Sequence, residues 1–246
     1  MKTNTTELLR GLKLSAFAAN FEEVEVKATR ANWSYEKFLS ELSTMERDHR
    51  IEQKTQRLLN QSKIPPQYTL EDMDQRLLAV KLRKHLATLL KGDFVYDGSN
   101  VLAFGLPGRG KSHFLGALGR EMILRYNMSV YFSPTFKLVE KLLVAKKELE
   151  LEKALKRFDK FDVVILDDIG YVQQSRAEME VLFTFLADRY ERKSLMISSN
   201  LVFSKWEQIF KDPMTTMAAV DRLVHHSTIL EFSGESIRAR EAKNKG

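Results

Sequence analysis

Gly105-Leu106-Pro107-Gly108-Arg109-Gly110-Lys111-Ser112 is the stretch whose reading decides the fold. It fits G-x-x-x-x-G-K-[ST], the phosphate-binding P-loop. Glycines let the backbone turn its N–H groups inward and let a polyanion approach without Cβ atoms in the way. In this motif Lys111 lies along the β- and γ-phosphates of a nucleotide, and Ser112 offers its hydroxyl to Mg²⁺. The flanks supply the strand–loop–helix setting the motif needs. Val101-Leu102-Ala103-Phe104 is a short apolar run suited to a buried parallel strand. Phe114, Leu115, Ala117, Leu118, Met122 and Ile123 then recur at helical spacing. The N-terminus of that helix points its partial positive charge at the phosphates.

Downstream, Phe161-Asp162-Val163-Val164-Ile165-Leu166-Asp167-Asp168 is the second chemical landmark. Four consecutive apolar residues predict a strand buried on both faces, with carboxylates at its C-terminal end, the edge where open parallel sheets bind ligands. Paired with the upstream loop this is a Walker-B pattern: Asp167 holds the metal through water, and Asp168 orients the attacking water. The second acid is Asp where Glu is commoner, one methylene shorter. Ser194 to Asn200 reads as a further buried strand ending in an amide. Asn200 is either a contact to the γ-phosphate or the water, or a turn residue or helix cap. Ser129 to Phe132 and Thr228 to Phe232 are the remaining strand candidates, and Glu178 to Tyr190 has helical period.

Composition sets the outer limits. The 246 residues suffice for one large domain, or one domain with a smaller appendage. Hydrophobic residues make up 43%, enough for a sizeable core, which argues against wholesale disorder. The net charge of +6 tilts toward an anionic partner, nucleic acid first. With no cysteine there are no disulfides and no thiolate zinc sites. No signal peptide is visible behind Met1, and no apolar run approaches the ~20 residues that cross a bilayer. The expectation is a cytoplasmic protein with no membrane partner.

Ahead of the loop lies a helical region. Leu8, Leu9, Leu12, Leu14, Phe17 and Phe21 predict one amphipathic helix, and Ser34 caps a second. On the second, Arg47, Arg50, Lys54 and Arg57 fall along one stripe. A solvated face is the default reading of that stripe, and a phosphate-tracking surface the alternative. Ile64-Pro65-Pro66 ends the pattern, and a helix starts from the cap-like Thr69 to Asp74 and runs through Leu89. Phe136 to Lys160 is helical and rich in lysine, again a solvated face by default and otherwise a place for DNA contact.

With these pieces in order the chain resembles the AAA+ ATPases of the DnaC/IstB group, and more narrowly the IstB-like helper ATPases encoded beside insertion-sequence transposases. The resemblance rests on GLPGRGKSH (Gly105 to His113), VVILDDIGY (Val163 to Tyr171), LADRYERKS (Leu186 to Ser194), ISSNLVFSKW (Ile197 to Trp206), VDRL (Val220 to Leu223) and GESIR (Gly234 to Arg238). It extends to LKLSAF and ERDHRIEQKTQRLL in the N-terminal part. It implies an ASCE-type α/β fold: a parallel sheet with helices on both faces, preceded by a small all-helical domain. The expected division is 1–66 and 67–246. Too little chain follows Phe232 for the helical lid that many AAA+ proteins carry.

By the same resemblance, Gly105 to His113 bind ATP, Ser112 and Asp167 hold Mg²⁺, and Asn200 is sensor 1. Arg222 matches an arginine finger reaching a neighbour's γ-phosphate, and Arg238 matches the sensor-2 position, acting in cis. A guanidinium suits both places because it stays charged and forks onto phosphate oxygens. The implied activity is ATP hydrolysis by a homo-oligomer, ring or helix, on duplex DNA in the service of a cognate transposase. A DnaC-type helicase loader is the alternative on the same core, and an ATP-binding scaffold without turnover is a second.

Overall fold

The computed structural model describes residues 5–170, 175–201, 205–206 and 213–233. The chain divides into two compact units, Met1–Arg57 and Leu58–Gly246. Leu58 and Ile64 belong to the same hydrophobic core as the strand residues Val101 and Ile165.

The smaller unit is helical, as its pattern predicts, but its first helix is two. α1 (Thr5–Gly11) stops and α2 (Ser15–Arg30) begins after a left-handed turn at Lys13, φ 59°. The N–H of Leu14 donates to the carbonyl of Leu9 and that of Lys13 to Arg10, which satisfies the carbonyls at the end of α1. The apolar periodicity runs through this break and conceals it. α3 (Tyr35–Ser62) starts at the expected cap, with Ser34 Oγ accepting from the N–H of Lys37. The buried Glu46 of α3 accepts from the N–H groups of Ala16 and Phe17, closing the N-terminus of α2.

In the larger unit the helix expected to run from the Thr69–Asp74 cap is interrupted. Asp74 caps only a 3-10 turn, Gln75–Leu77, and extended backbone at Leu78 and Ala79 precedes α4 (Val80–Leu89). α5 (Asp93–Tyr96) leads into β1 (Asn100–Phe104). After α6 (Lys111–Tyr126) come β2 (Val130–Pro134), α7 (Thr135–Lys147), α8 (Leu151–Phe158) and β3 (Val163–Asp167). α9 (Arg176–Arg189), β4 (Ser194–Ser199), α10 (Pro213–His225) and β5 (Ser227–Glu231) complete the order. The lysine-rich segment thus folds as two helices, broken at Leu149, φ 59°. No described helix is long and apolar enough to cross a membrane.

All strand pairs are parallel, in the order β2-β3-β4-β1-β5. The two-residue period of a strand explains the two cores. Val101, Ala103, Val163, Ile165 and Met196 face one layer, under α4 and α6, with Phe114, Leu118 and Met122. Leu102, Phe104, Val164, Leu166, Leu195 and Ile197 face the other, with Leu138 of α7, Phe185 of α9 and Leu223 of α10. This is the AAA+ architecture expected, and the last residues of β3 and β4, Asp167 and Ser199, belong to neither core. β4 lies between the strand that carries the glycine-rich loop and the strand that carries the paired acids.

Candidate functional site

The loop begins where β1 runs out of core. Gly105 sits at φ 151°, its N–H donating 3.2 Å to the carbonyl of Ser199 on β4. A Cβ there would collide with the carbonyl of Phe232, itself tied to β1 by its N–H on Phe104 O at 2.7 Å. Gly110, φ 82°, caps α6 with no side chain, so the first-turn amides of that helix have no side-chain acceptor supplied by their cap. Leu106 and Pro107 are exposed, while Gly108, Arg109 and Ser112 are half-buried. Lys111 is only 8% exposed and bends back on the loop, its Nζ 2.6 Å from Gly105 O and 3.0 Å from Leu106 O. The loop carbonyls hold the cation where a phosphate chain would take it over.

The acids stand two strands away. Asp167 ends β3 and its Oδ1 accepts 2.6 Å from Ser198 Oγ. Asp168 turns into the left-handed region, φ 56°, with its N–H donating 2.8 Å to that same Oγ. Burial raises the Asp168 carboxyl above its ordinary range, and the like charge of Asp167 adds to this while Lys111 opposes it. Asp168 Oδ1 and Asn200 Oδ1 are buried with no hydrogen-bond partner among the described residues. Gly170 packs directly on Asn200 Oδ1, leaving no room for a side chain. Buried polar atoms are ordinarily paired, so two orphans of one kind at one sheet edge mark a place for a ligand with donors or a cation. The hydroxyl of Ser112 and the carboxylate of Asp167 are the oxygen donors that Mg²⁺ takes, and the set fits that ion.

The remaining expected residues part company. His113 is turned to the segment ahead of α4: its Nε2 lies 2.9 Å from Thr69 O and its ring stacks on Tyr68 at 5.1 Å. Arg222 lies in the last turn of α10, half-buried, its guanidinium 5.2 Å over the ring of Phe183 on α9. Arg238 falls outside the described residues, as does Tyr171. In the N-terminal stripe Arg50 pairs with Glu46 at 2.7 Å and Arg47 with Asp48 at 2.8 Å, while Lys54 and Arg57 are exposed. On α7 and α8, Lys146 pairs with Glu180 and Lys153 with Glu150; Lys137, Lys147, Arg157 and Lys160 are exposed.

Two residues that sequence reasoning did not single out matter here. Ser198, one of three serines in β4, touches both acids, and a hydroxyl directly after the apolar run Leu195 to Ile197 is the signal that points to it. Arg189, in LADRYERKS, is 1% exposed at the opposite end of the sheet and donates to the carbonyls of Phe158, Phe161, Asp162 and Ser194.

The family model for IstB-like ATP binding protein matches residues 7–245. An insertion-sequence ATP-binding protein of Sinorhizobium fredii is 40% identical over 236 residues, 96% of this chain and 79% of its own length. The insertion sequence IS21 ATP-binding protein of Pseudomonas aeruginosa is 34% identical over 239 residues, 97% of this chain and 90% of its own. Among solved structures the DnaC helicase loader superposes with a TM-score of 0.55 at 22% identity, covering 63% of this chain and 92% of that one. At that identity the likeness is one of fold.

Proposed function

The chain belongs to the IstB-like ATP binding protein family, and we propose that it works as an ATP-dependent, DNA-binding helper of an insertion-sequence transposase. Its subunits assemble on duplex DNA when ATP is bound, remodel that DNA so that transposase engages a target site, and reset on hydrolysis. The observation that carries the enzymatic half is the pair of buried, unpartnered oxygens on Asp168 and Asn200, on the sheet edge that also holds Lys111 and Asp167.

The chemistry follows from positions. The loop amides and the N-terminus of α6 bind the phosphates, and Lys111 exchanges its loop carbonyls for the β- and γ-oxygens. Ser112 and Asp167 would hold Mg²⁺, which would supply positive charge to the phosphate chain. Asp168, raised above its ordinary range by burial and by the like charge beside it, orients the attacking water. Asn200 fixes that water or the γ-phosphate. Arg222 serves a neighbour's γ-phosphate, which makes turnover depend on assembly, and Arg238 acts in cis. His113 supports the site from beneath by holding Thr69 and Tyr68 against the first turn of α6.

The DNA half rests on the net charge of +6 and on exposed cations such as Lys54, Arg57, Lys137 and Arg157. The insertion-sequence relatives favour a transposase over a helicase as the protein partner.

The test is ATPase rate and particle size together, with and without duplex DNA, for wild type and Arg222→Ala. The expected outcome is ATP- and DNA-driven assembly with stimulated turnover in the wild type. The variant binds nucleotide but loses stimulated turnover by about 10³-fold, the scale of a trans-acting arginine. A monomer that ignores duplex DNA and is indifferent to Arg222→Ala overturns the reading. DNA affinity that does not fall with log salt overturns the phosphate contacts.

A further inference from the structure

We infer that Ser198 is the positioning residue that locks the two acids of the site into one unit. The inference rests on the ATPase reading above. Three bonds make the lock. Ser198 Oγ donates to Asp167 Oδ1 at 2.6 Å, accepts the N–H of Asp168 at 2.8 Å, and the Ser198 carbonyl accepts the N–H of Ile169 at 3.0 Å. One residue of β4 therefore grips three successive residues at the end of β3. It is 1% exposed, so water cannot substitute for it.

A hydroxyl has one proton. Given to Asp167, it leaves the oxygen lone pairs as the acceptor for Asp168, so the direction of both bonds is fixed by the charge of Asp167. The second bond falls on a residue held at φ 56°, a region that is costly for a non-glycine residue and persists only where its surroundings over-determine it. Ser198 thus does two things at once. It orients the carboxylate that holds the metal, and it stabilises the backbone twist that aims the carboxylate of Asp168 with its Oδ1 unpartnered. Two residues along the same backbone stands Asn200, whose Oδ1 is the other orphan, so β4 positions three of the polar groups of the site.

A positioning role separates from a merely structural one by what it leaves intact. The variants are Ser198→Ala and, to restore the hydroxyl, Ser198→Thr. The readouts are kcat and KM in the DNA-stimulated assay, affinity for a fluorescent non-hydrolysable ATP analogue with Mg²⁺ and with chelator, and thermal melting without nucleotide. Ser198→Ala is expected to lower kcat by about 10–100-fold and to weaken analogue binding in Mg²⁺ by a similar factor, the range seen when a partner behind a metal ligand is lost. Binding in chelator should stay within about threefold, because the loop and Lys111 are untouched. Ser198→Thr should recover at least half of the lost kcat on a logarithmic scale.

Equal loss of binding with and without Mg²⁺, with a collapsed melting temperature, makes Ser198 a packing residue and overturns the inference. So does an Ala variant with wild-type kcat and Mg²⁺ response. A wild type that never hydrolyses ATP, with or without DNA, sinks the ATPase reading itself, whereas an active wild type with an unaffected variant sinks only the role of Ser198.

Discussion

The two ends of the sheet handle their polar groups in opposite ways. At the N-terminal ends of β3 and β4, Arg189 spreads its terminal nitrogens over the carbonyls of Phe158, Phe161, Asp162 and Ser194. Beside it the Asp162 carboxylate accepts from Ser129 and from Lys193. Burial alone would raise Asp162, but those bonds hold it below its ordinary range. At the C-terminal ends, Asp168 and Asn200 each keep a buried oxygen without a partner, and Asp168 takes a left-handed backbone. The first edge is closed but for the Nε of Arg189, which has no partner among the described residues, whereas the second leaves two acceptor oxygens open.

The largest effect expected from breaking this comparison is at the closed edge. Arg189→Met takes a charged donor away from four carbonyls, of which Phe158 O keeps the N–H of Phe161, and should cost roughly 3–5 kcal/mol of unfolding free energy, read from urea melts. Burial has already pulled the Arg189 guanidinium down to about 10, yet it remains charged at neutral pH. A loss under about 1 kcal/mol would mean the edge is not closed by this residue.

At the open edge the sign should reverse. Asp168→Asn removes a desolvated charge beside Asp167, so the nucleotide-free protein should melt higher at pH 7, by roughly 1–3 °C. Turnover should fall by about 10²-fold. Because the Asp168 carboxyl is raised in the folded chain, its ionisation weakens the fold only as pH rises through that value. The gain should shrink as pH falls through the same value toward the ordinary 3.8. A gain that does not change with pH would point to shape and not charge.

The smallest effect sharpens the contrast from outside the sheet. Glu46 is a buried acid that is fully employed. The Arg50 guanidinium holds it below its ordinary 4.5 against the opposing pull of burial, helped by the N–H groups of Phe17 and Ala16. Glu46→Gln should cost about 1 kcal/mol above pH 4.5, the scale of a helix cap. The difference should vanish as pH falls through the depressed value, since wild type loses the same charge there. Amide exchange along α2 is the direct readout.

Much of this was legible in the chain. The loop, the acid-ended strand and the two-face burial of β1, β3 and β4 all follow from apolar runs and glycine spacing. What stayed hidden were features set by partners distant in sequence or by backbone turns with no glycine. Lys13 and Leu149 take left-handed conformations that glycine usually fills, so two helix breaks had no signal. His113 follows Ser112 of the glycine-rich loop in sequence, yet Thr69, 44 residues earlier, takes its ring nitrogen. Arg189 sits among charged neighbours in LADRYERKS and reads as surface until the strands close over it. Ser198 hides because it is one of three buried serines in the same strand, and only the fold shows which of them meets the acids.

The interposed β4 has a consequence for how this site tolerates change. Met196 pairs with Val101 on one side and Ile165 on the other, so the loop and the acids are held apart by two backbone spacings, about 10 Å in all. That gap is a ruler made of peptide and is indifferent to which side chains line it. Substitutions along β4 alter the fit by degrees. An inserted or deleted residue would rotate Ser198 to the other face of the sheet and move Asn200 off the acids in a single step. The strand is therefore forgiving in its letters and unforgiving in its count.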